Sequence, residues 1–386
     1  MRELLTEFDH NALTTRAQAR DLFADMHANH PLFHSQSWGG FWVATRHATL
    51  REIGRDSATF ISGDGVMIPP LGHGRALVPM ETDGARHSRY REILLPHLGP
   101  RAVAELEPRV RGAASGILQD LAPGGAADLY ELYCKRLPAE MITFLLDIED
   151  EPEFWDWTET LIYGRFERPE DVRHVGDSLY RFFEEVVARR RGDRIEPGAS
   201  DLVSVLIDAH ASGKLESNEE VVDLCFFLLI AGLDNTAFGI RAALWHLAAY
   251  PAHRQALLED PELLRPFVEE VLRLYAPVPG LGRALGSDVE LEGCPISQGD
   301  HILLLFAAAN RDPALFEDPH EFKLNRQGNP HVAFGVGAHR CLGSHLARLE
   351  LRIAVGEILR RFPDYELVAP ETTSWHPAGP LEARWP

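Results

Sequence analysis

Cysteine is scarce: four residues, Cys134, Cys225, Cys294 and Cys341, stand among 386 positions without paired spacing. That excludes a disulfide framework and a zinc ribbon, which both need clustered cysteines. Three of the four are expected to be inert packing residues. Positive charge is also in deficit, with 38 Lys and Arg against 58 Asp and Glu and a formal net charge of −20. With no basic run to meet a phosphate backbone, nucleic acid is excluded as a partner. Residues 1–30 mix polar and charged groups. They hold neither a secretory apolar core nor the roughly 20 apolar residues that span a bilayer. The chain therefore reads as soluble and cytoplasmic, with no membrane partner. No repeat, low-complexity tract or long Gly/Ser linker divides it. Apolar residues are plentiful, 45% of the chain, enough for a large core.

Length alone suggests two or three domains. Apolar periodicity punctuated by Pro and Gly predicts helices at about 101–121, 128–146, 152–163, 171–191, 200–211, 218–249, 251–259 and 261–275. Gly40-Phe41-Trp42-Val43-Ala44 reads as a strand, followed by a helical run from Thr45 to Ile53. Short strands are expected near 288–291, 301–305 and the C-terminal end. The Gly and Pro between Ile61 and Pro79 predict a loop. The sum is a mainly α chain with a minor β portion.

Phe334-Gly335-Val336-Gly337-Ala338-His339-Arg340-Cys341-Leu342-Gly343 is the most informative stretch. Leu342, Leu346, Leu349 and Ile353 then recur as an amphipathic stripe, which predicts a helix starting just after Cys341. A thiolate at a helix N-terminus gains from the dipole and from free N–H groups. The stretch resembles the haem-ligand loop of cytochromes P450, Phe-Gly-x-Gly-x-His/Arg-x-Cys-x-Gly, at every fixed position. The plain alternative, a packing cysteine beside a glycine turn, leaves those joint matches unexplained. The resemblance implies one P450 haem domain over residues 1–386. It places haem b between the Asp234/Asn235 helix and the Cys341 helix, with Cys341 as the axial metal ligand. A sulfur donor of this kind favours O–O cleavage. Phe334 would shield the sulfur side, Gly335 and Gly337 would allow a tight bend, and Gly343 would let backbone approach the porphyrin.

Glu270-Val271-Leu272-Arg273 puts an acid and a base on one helix face at i, i+3. It resembles the family's Glu-x-x-Arg pair, and Arg326 fits the second arginine of that structural trio. Asn310-Arg311-Asp312-Pro313 and Phe316-Glu317-Asp318-Pro319 match the family's connecting segment. Haem propionates need basic partners. The resemblance assigns that role to His87 and Arg91, four apart on one helix face, and to Arg283 and His339. It covers the chain from the His87/Arg91 helix onward and is weaker before about residue 80. No second ligand pair accompanies His339 and Cys341, so zinc is not supported.

A helix from Asn218 to Tyr250 opens on a capping box, Ser217-Asn218-Glu219-Glu220. It runs into Ala231-Gly232-Leu233-Asp234-Asn235-Thr236, where P450s usually show Ala/Gly-Gly-x-Asp/Glu-Thr. In the family the glycine opens space for dioxygen, the acid feeds protons and the threonine hydroxyl orients water. Asp234 matches the acid, but Asn235 stands at the threonine position. Thr236 lies one residue on, rotated by about 100°, and would need a helix bulge to substitute. The simpler expectation is that Asn235 acts itself, because its amide both donates and accepts.

The expected activity is haem-thiolate monooxygenation with O2. The polypeptide stops after its haem domain, so electrons are expected from a separate ferredoxin and ferredoxin reductase. They would dock where Arg340, Arg348 and Arg352 offer positive charge. A peroxygenase or haem-thiolate isomerase is the enzymatic alternative; the retained Asp234 favours oxygen activation. A non-catalytic haem sensor would lack an output region. By position the pocket draws on Met67, Phe227, Ile230, Ala231, Val278 and Leu281, with Trp155, Trp157 and Phe166 near the lid. These apolar groups suit a compact, terpenoid-like substrate, with a larger natural-product intermediate as the alternative.

Overall fold

The computed structural model describes residues 5–12, 16–121, 125–149, 151, 153–192, 201–368 and 380–385. Helix accounts for 60% of the chain and strand for 9%, a mainly α fold with a minor β portion. The organising element is the central helix Asn218–Ala249, buried along nearly all its faces. It packs against helices Arg136–Leu146, Pro169–Gly192, Leu202–Ala211, Leu264–Tyr275 and Ser344–Arg361. It is long and apolar enough to cross a membrane, yet 78% of its apolar window is buried inside the fold. Its N-cap follows the sequence on one side, because Ser217 Oγ accepts the Glu220 N–H at 3.2 Å. The return bond differs: the Glu220 carboxylate accepts from the Glu216 N–H, one residue earlier than a capping box would use.

Two expected helices are interrupted, each at a proline. Residues 101–121 divide into Pro100–Glu105 and Glu107–Gln119. Pro108, in the first turn of the second piece, lacks the N–H that would continue the first. Residues 128–146 open as a π-turn, Tyr130–Cys134, before helix Arg136–Leu146. There Pro138 has no N–H to offer the Cys134 carbonyl, so an α ladder cannot run through. The helix expected at 152–163 runs Glu153–Glu167, and only Arg168 separates it from Pro169–Gly192.

The β portion lies to one side. Strands β1 (Leu32–Ser35), β2 (Phe41–Ala44), β3 (Phe60–Ile61), β4 (Ala126–Asp128), β5 (Leu281–Leu285), β6 (Val289–Leu291), β7 (Cys294–Ile296), β8 (His301–Leu304), β9 (Glu366–Leu367) and β10 (Glu382–Arg384) form three sheets. The five-stranded sheet runs β1-β2-β8-β5-β3, β4-β10-β9 form a second, and β6-β7 pair alone. In the first sheet only β2 and β8 run parallel. The loop was expected from Ile61 to Pro79; Ile61 closes β3, and residues 62–83 carry no helix or strand. They are held along β5 by the Gly282 N–H, which donates to the Val66 carbonyl at 2.7 Å.

Candidate active site

The cysteine loop is a backbone construction. The Cys341 N–H donates to the Phe334 carbonyl at 2.8 Å and the Gly335 N–H to Val332 at 2.8 Å. Gly335 and Gly337 take φ of 69° and 74°, a region L side chains resist. Gly337 is constrained further: a Cβ there would stand 1.6 Å from the Gly54 carbonyl oxygen. Gly54, at the end of helix His47–Arg55, would in turn strike Val336 at 2.3 Å. Loop and helix thus interlock through two bare backbones. Sequence reasoning missed Gly54, for which the one signal was a glycine closing a helical run. Gly337→Ala is expected to cost about 1–3 kcal/mol by overpacking, with Ala at positive φ adding to it. Chemical denaturation would register this as a lower midpoint, together with weaker haem retention.

Helix Ser344–Arg361 begins three residues after Cys341, with Gly343 at its N-cap. Cys341 is exposed, yet burial pushes its thiol above the ordinary value of 9.0. Both hold if the sulfur lies on the wall of an internal space, open on one side and surrounded by protein on the others. The Gly343 N–H and the charges of Arg91, Arg340 and Arg348 pull toward thiolate. A Cβ on Gly343 would meet nothing within 4 Å, so the face beside the sulfur is open. On the other side Arg348 lies over the Phe334 ring at 4.4 Å.

Four basic side chains converge nearby. His87 and His339 stack with ring centroids 3.9 Å apart. Arg91 donates to the Arg340 carbonyl at 2.9 Å. Arg283, on β5, is 6% exposed and donates to the Gly282 carbonyl at 2.7 Å. Burial lowers Arg283 to about 10 and His339 to about 3, with Arg283 and His87 adding to the latter. The opposing anion is Asp83, 3.5 Å from His339, and it is already engaged by the N–H groups of Ser62 and Gly63. Two buried or half-buried arginines beside two histidines, with one committed carboxylate among them, leave room for further negative charge. The two propionates of haem b would supply it, and the open Cys341 sulfur fits its axial position.

The central helix runs as α-helix through Asp234, Asn235 and Thr236 without a bulge. Phe227, Ala231 and Asn235 follow at i, i+4, i+8, and with Gly232 they are the partly or fully exposed positions on an otherwise buried stretch. That stripe is the face turned to the internal space. Thr236 is buried, off the stripe, so it does not take over the Asn235 position. Among the described residues Asn235 has no side-chain hydrogen-bond partner. Ile230 also falls off the stripe and packs in the core, while Met67, Val278 and Leu281 remain half-buried. Gly232 has a packing role as well. A Cβ on Gly232 would meet Ile142 at 2.9 Å, so close packing against Arg136–Leu146 calls for glycine here, while the residue stays partly exposed.

Asp234 is buried and accepts a hydrogen bond from Tyr163 Oη at 3.0 Å. Burial raises its carboxyl to about 6, Tyr163 opposes that rise, and the charges of Glu159 and Lys135 act in opposite directions. Glu270, Arg273 and Arg326 come together as one buried cluster. The expected positive docking face is thinner than its arginine count. Arg348 pairs with Glu269 at 2.7 Å and Arg352 with Glu107 at 3.0 Å, which leaves Arg340 as the arginine of the three without an ion pair among the described residues.

A sequence model of the cytochrome P450 family matches residues 130–373. The chain is similar to a probable cytochrome P450 127A1 of Sinorhizobium fredii, 32% identical over 361 residues, covering 90% of this chain and 85% of the relative. It is also similar to 20-oxo-5-O-mycaminosyltylactone 23-monooxygenase of Streptomyces fradiae, 33% identical over 351 residues, covering 88% and 82%. Among solved structures, a Mycobacterium marinum cytochrome P450 in complex with pseudoionone aligns at TM-score 0.85 and 27% identity, covering 96% of each chain.

Proposed function

The chain belongs to the cytochrome P450 family, oxidoreductases of the monooxygenase type, and we propose that its substrate is a small apolar, terpenoid-like molecule. It would act in the cytoplasm, with electrons drawn from a separate ferredoxin and ferredoxin reductase. The observation that carries the substrate reading is the Phe227–Ala231–Asn235 stripe. It is apolar but for one amide, and that amide has no partner among the described residues. Haem b, held by Cys341 and by His87, Arg91, Arg283 and His339, would supply activation of dioxygen when bound.

The protein's own part is positional. Asn235 can steady a water or a substrate oxygen by donating and accepting at once. It passes a proton less readily than a hydroxyl would. Asp234, with a carboxyl near 6, holds a proton that can be given up and regained close to neutrality. A buried acid kept for proton supply favours oxygen activation over peroxide use. The larger natural-product reading is favoured by one observation, the macrolide named as substrate of the Streptomyces fradiae relative.

Optical titration of the ferric protein with terpenoids, simple aromatics and macrolides separates the two. A saturable low- to high-spin shift with terpenoids alone is the expected result. A shift with macrolides alone, or with none of the panel, would reject the compact substrate.

A further inference from the structure

We propose that Tyr163 is the positioning residue for Asp234, tying the orientation of that carboxyl to the placement of helix Glu153–Glu167. The proposal rests on the monooxygenase reading above and adds a residue that no sequence motif marks. Tyr163 stands seventy-one positions before Asp234, on a different helix, and its phenol O–H donates to Asp234 Oδ2 at 3.0 Å. The two groups differ in setting. Asp234 is 8% exposed and Tyr163 is 51% exposed. The phenol therefore leans from an open position into the groove where the acid is enclosed.

The choice of partner matters chemically. Asp234 makes no ion pair among the described residues. Four titratable groups face it from neighbouring elements: Tyr163 and Glu159 from helix Glu153–Glu167, and Tyr130 and Lys135 from the segment ahead of helix Arg136–Leu146. The one cation of the set, Lys135, is held by Glu131 and Glu159 at 2.7 Å each. A direct arginine or lysine partner would hold the carboxylate ionised. A neutral phenol stabilises the anion only modestly, so Asp234 can still load a proton near neutrality. Burial raises the phenol's own pKa, which keeps Tyr163 a donor throughout.

The contact also gives the acid a mechanical link. Helix Glu153–Glu167 is anchored by the buried Phe154 and Leu161. Its last turn is held by lighter contacts. Phe166 meets the exposed Trp38 ring at 5.8 Å, and Arg165 reaches Asn11 at 3.4 Å. Asn11 in turn donates to the Ile68 carbonyl, beside Met67. Tyr163 lies between the Leu161 anchor and this last turn. Any shift of the turn on ligand entry would lengthen the bond to Asp234 and free the carboxyl to rotate. Since Asn235 offers no hydroxyl, the timing of proton supply falls on this pair.

Tyr163→Phe in the holoenzyme tests the assignment. An infrared titration of the protonated carboxyl stretch, assigned by its loss in Asp234→Asn, should show the Asp234 pKa move up by about one unit. Product formed per NAD(P)H should fall several-fold, with an enlarged solvent isotope effect. The melting temperature and the ligand-induced spin shift should stay as in the wild type. An unchanged Asp234 titration would overturn the proposal, and so would a shifted titration with unchanged coupling, which describes a structural contact only. If the wild type gave no spin shift and no product with any compound, the substrate reading would fail instead, while the infrared titration would still decide the Tyr163–Asp234 contact.

Discussion

Glu270→Ala is expected to lower the unfolding free energy by about 3–5 kcal/mol, the cost of breaking a buried ion pair from one side. Both carboxylate oxygens are fully used. Oε1 accepts from Arg273 Nη2 at 2.7 Å, the Lys323 N–H at 2.9 Å and Arg326 Nε at 3.0 Å. Oε2 accepts from Arg273 Nε at 2.7 Å and from Asn329 at 3.1 Å. Removing them strands two guanidinium groups, since Arg273 is fully buried and Arg326 nearly so. Their remaining bonds go to the carbonyls of Asn310, Pro319, Glu317 and Glu321, which cannot neutralise them. The damage should spread to the segment 317–329 and on to Val332–Gly335, where the cysteine loop begins. Urea denaturation would show a lower midpoint at unchanged slope, and haem retention should weaken in parallel. A Glu270→Ala protein as stable as the wild type would show that the cluster is dispensable.

The neighbouring carboxylate gives the same region a pH signature. Burial alone would raise Glu269, but His331 and Arg348 hold it down at about 2, against an ordinary 4.5. A carboxylate depressed on folding contributes stability that is complete above its unfolded value. That contribution is lost as pH falls through the folded value, here between about 4.5 and 2. Glu269→Gln should flatten that part of the acid-unfolding curve and leave the neutral arm unchanged in shape.

Much of this site was legible because its signals are local. The cysteine stretch, Glu270 with Arg273, and His87 with Arg91 each fall within a few residues, where spacing translates directly into a shared face or turn. The Asn235 question was also posed by sequence alone, and the unbulged helix keeps Asn235, not Thr236, on the open stripe. What escaped was long-range. Gly54 matters because Gly337 stacks on it, 283 positions later, and nothing near Gly54 marks that encounter. Gly232 belongs to a motif, yet its close packing on Ile142 comes from another helix that the motif does not mention. Arg348 and Arg352 look like a basic patch until Glu269 and Glu107 arrive from elsewhere. Tyr163 carried no motif at all, and only the packing of two helices brings its phenol to Asp234. Strands β3 and β4 were missed for a related reason: each is short, and its partner, β5 or β10, lies far along the chain.

Cys341→Ser is expected to fold and to abolish monooxygenase turnover. The side chain fills no core, since its sulfur faces open space, so its loss leaves no cavity to destabilise the protein. The chemistry loses far more. A serine hydroxyl ionises too weakly to take the place of the thiolate, even with the Gly343 N–H and the charges of Arg91, Arg340 and Arg348 around it. The loss should exceed the roughly 10–100-fold that removing an outer-shell partner costs a metal site. Reduced, CO-treated protein should lack the thiolate-type absorption while its circular dichroism and melting point match the wild type. Cys134 and Cys225 supply the contrast. Both are fully buried, and burial pushes their thiols far up. Cys134→Ala and Cys225→Ala should therefore lower stability through small core cavities and leave the CO spectrum intact. If Cys341→Ser kept its turnover, or if either core variant lost the thiolate signature, the assignment of the axial ligand would have to be abandoned.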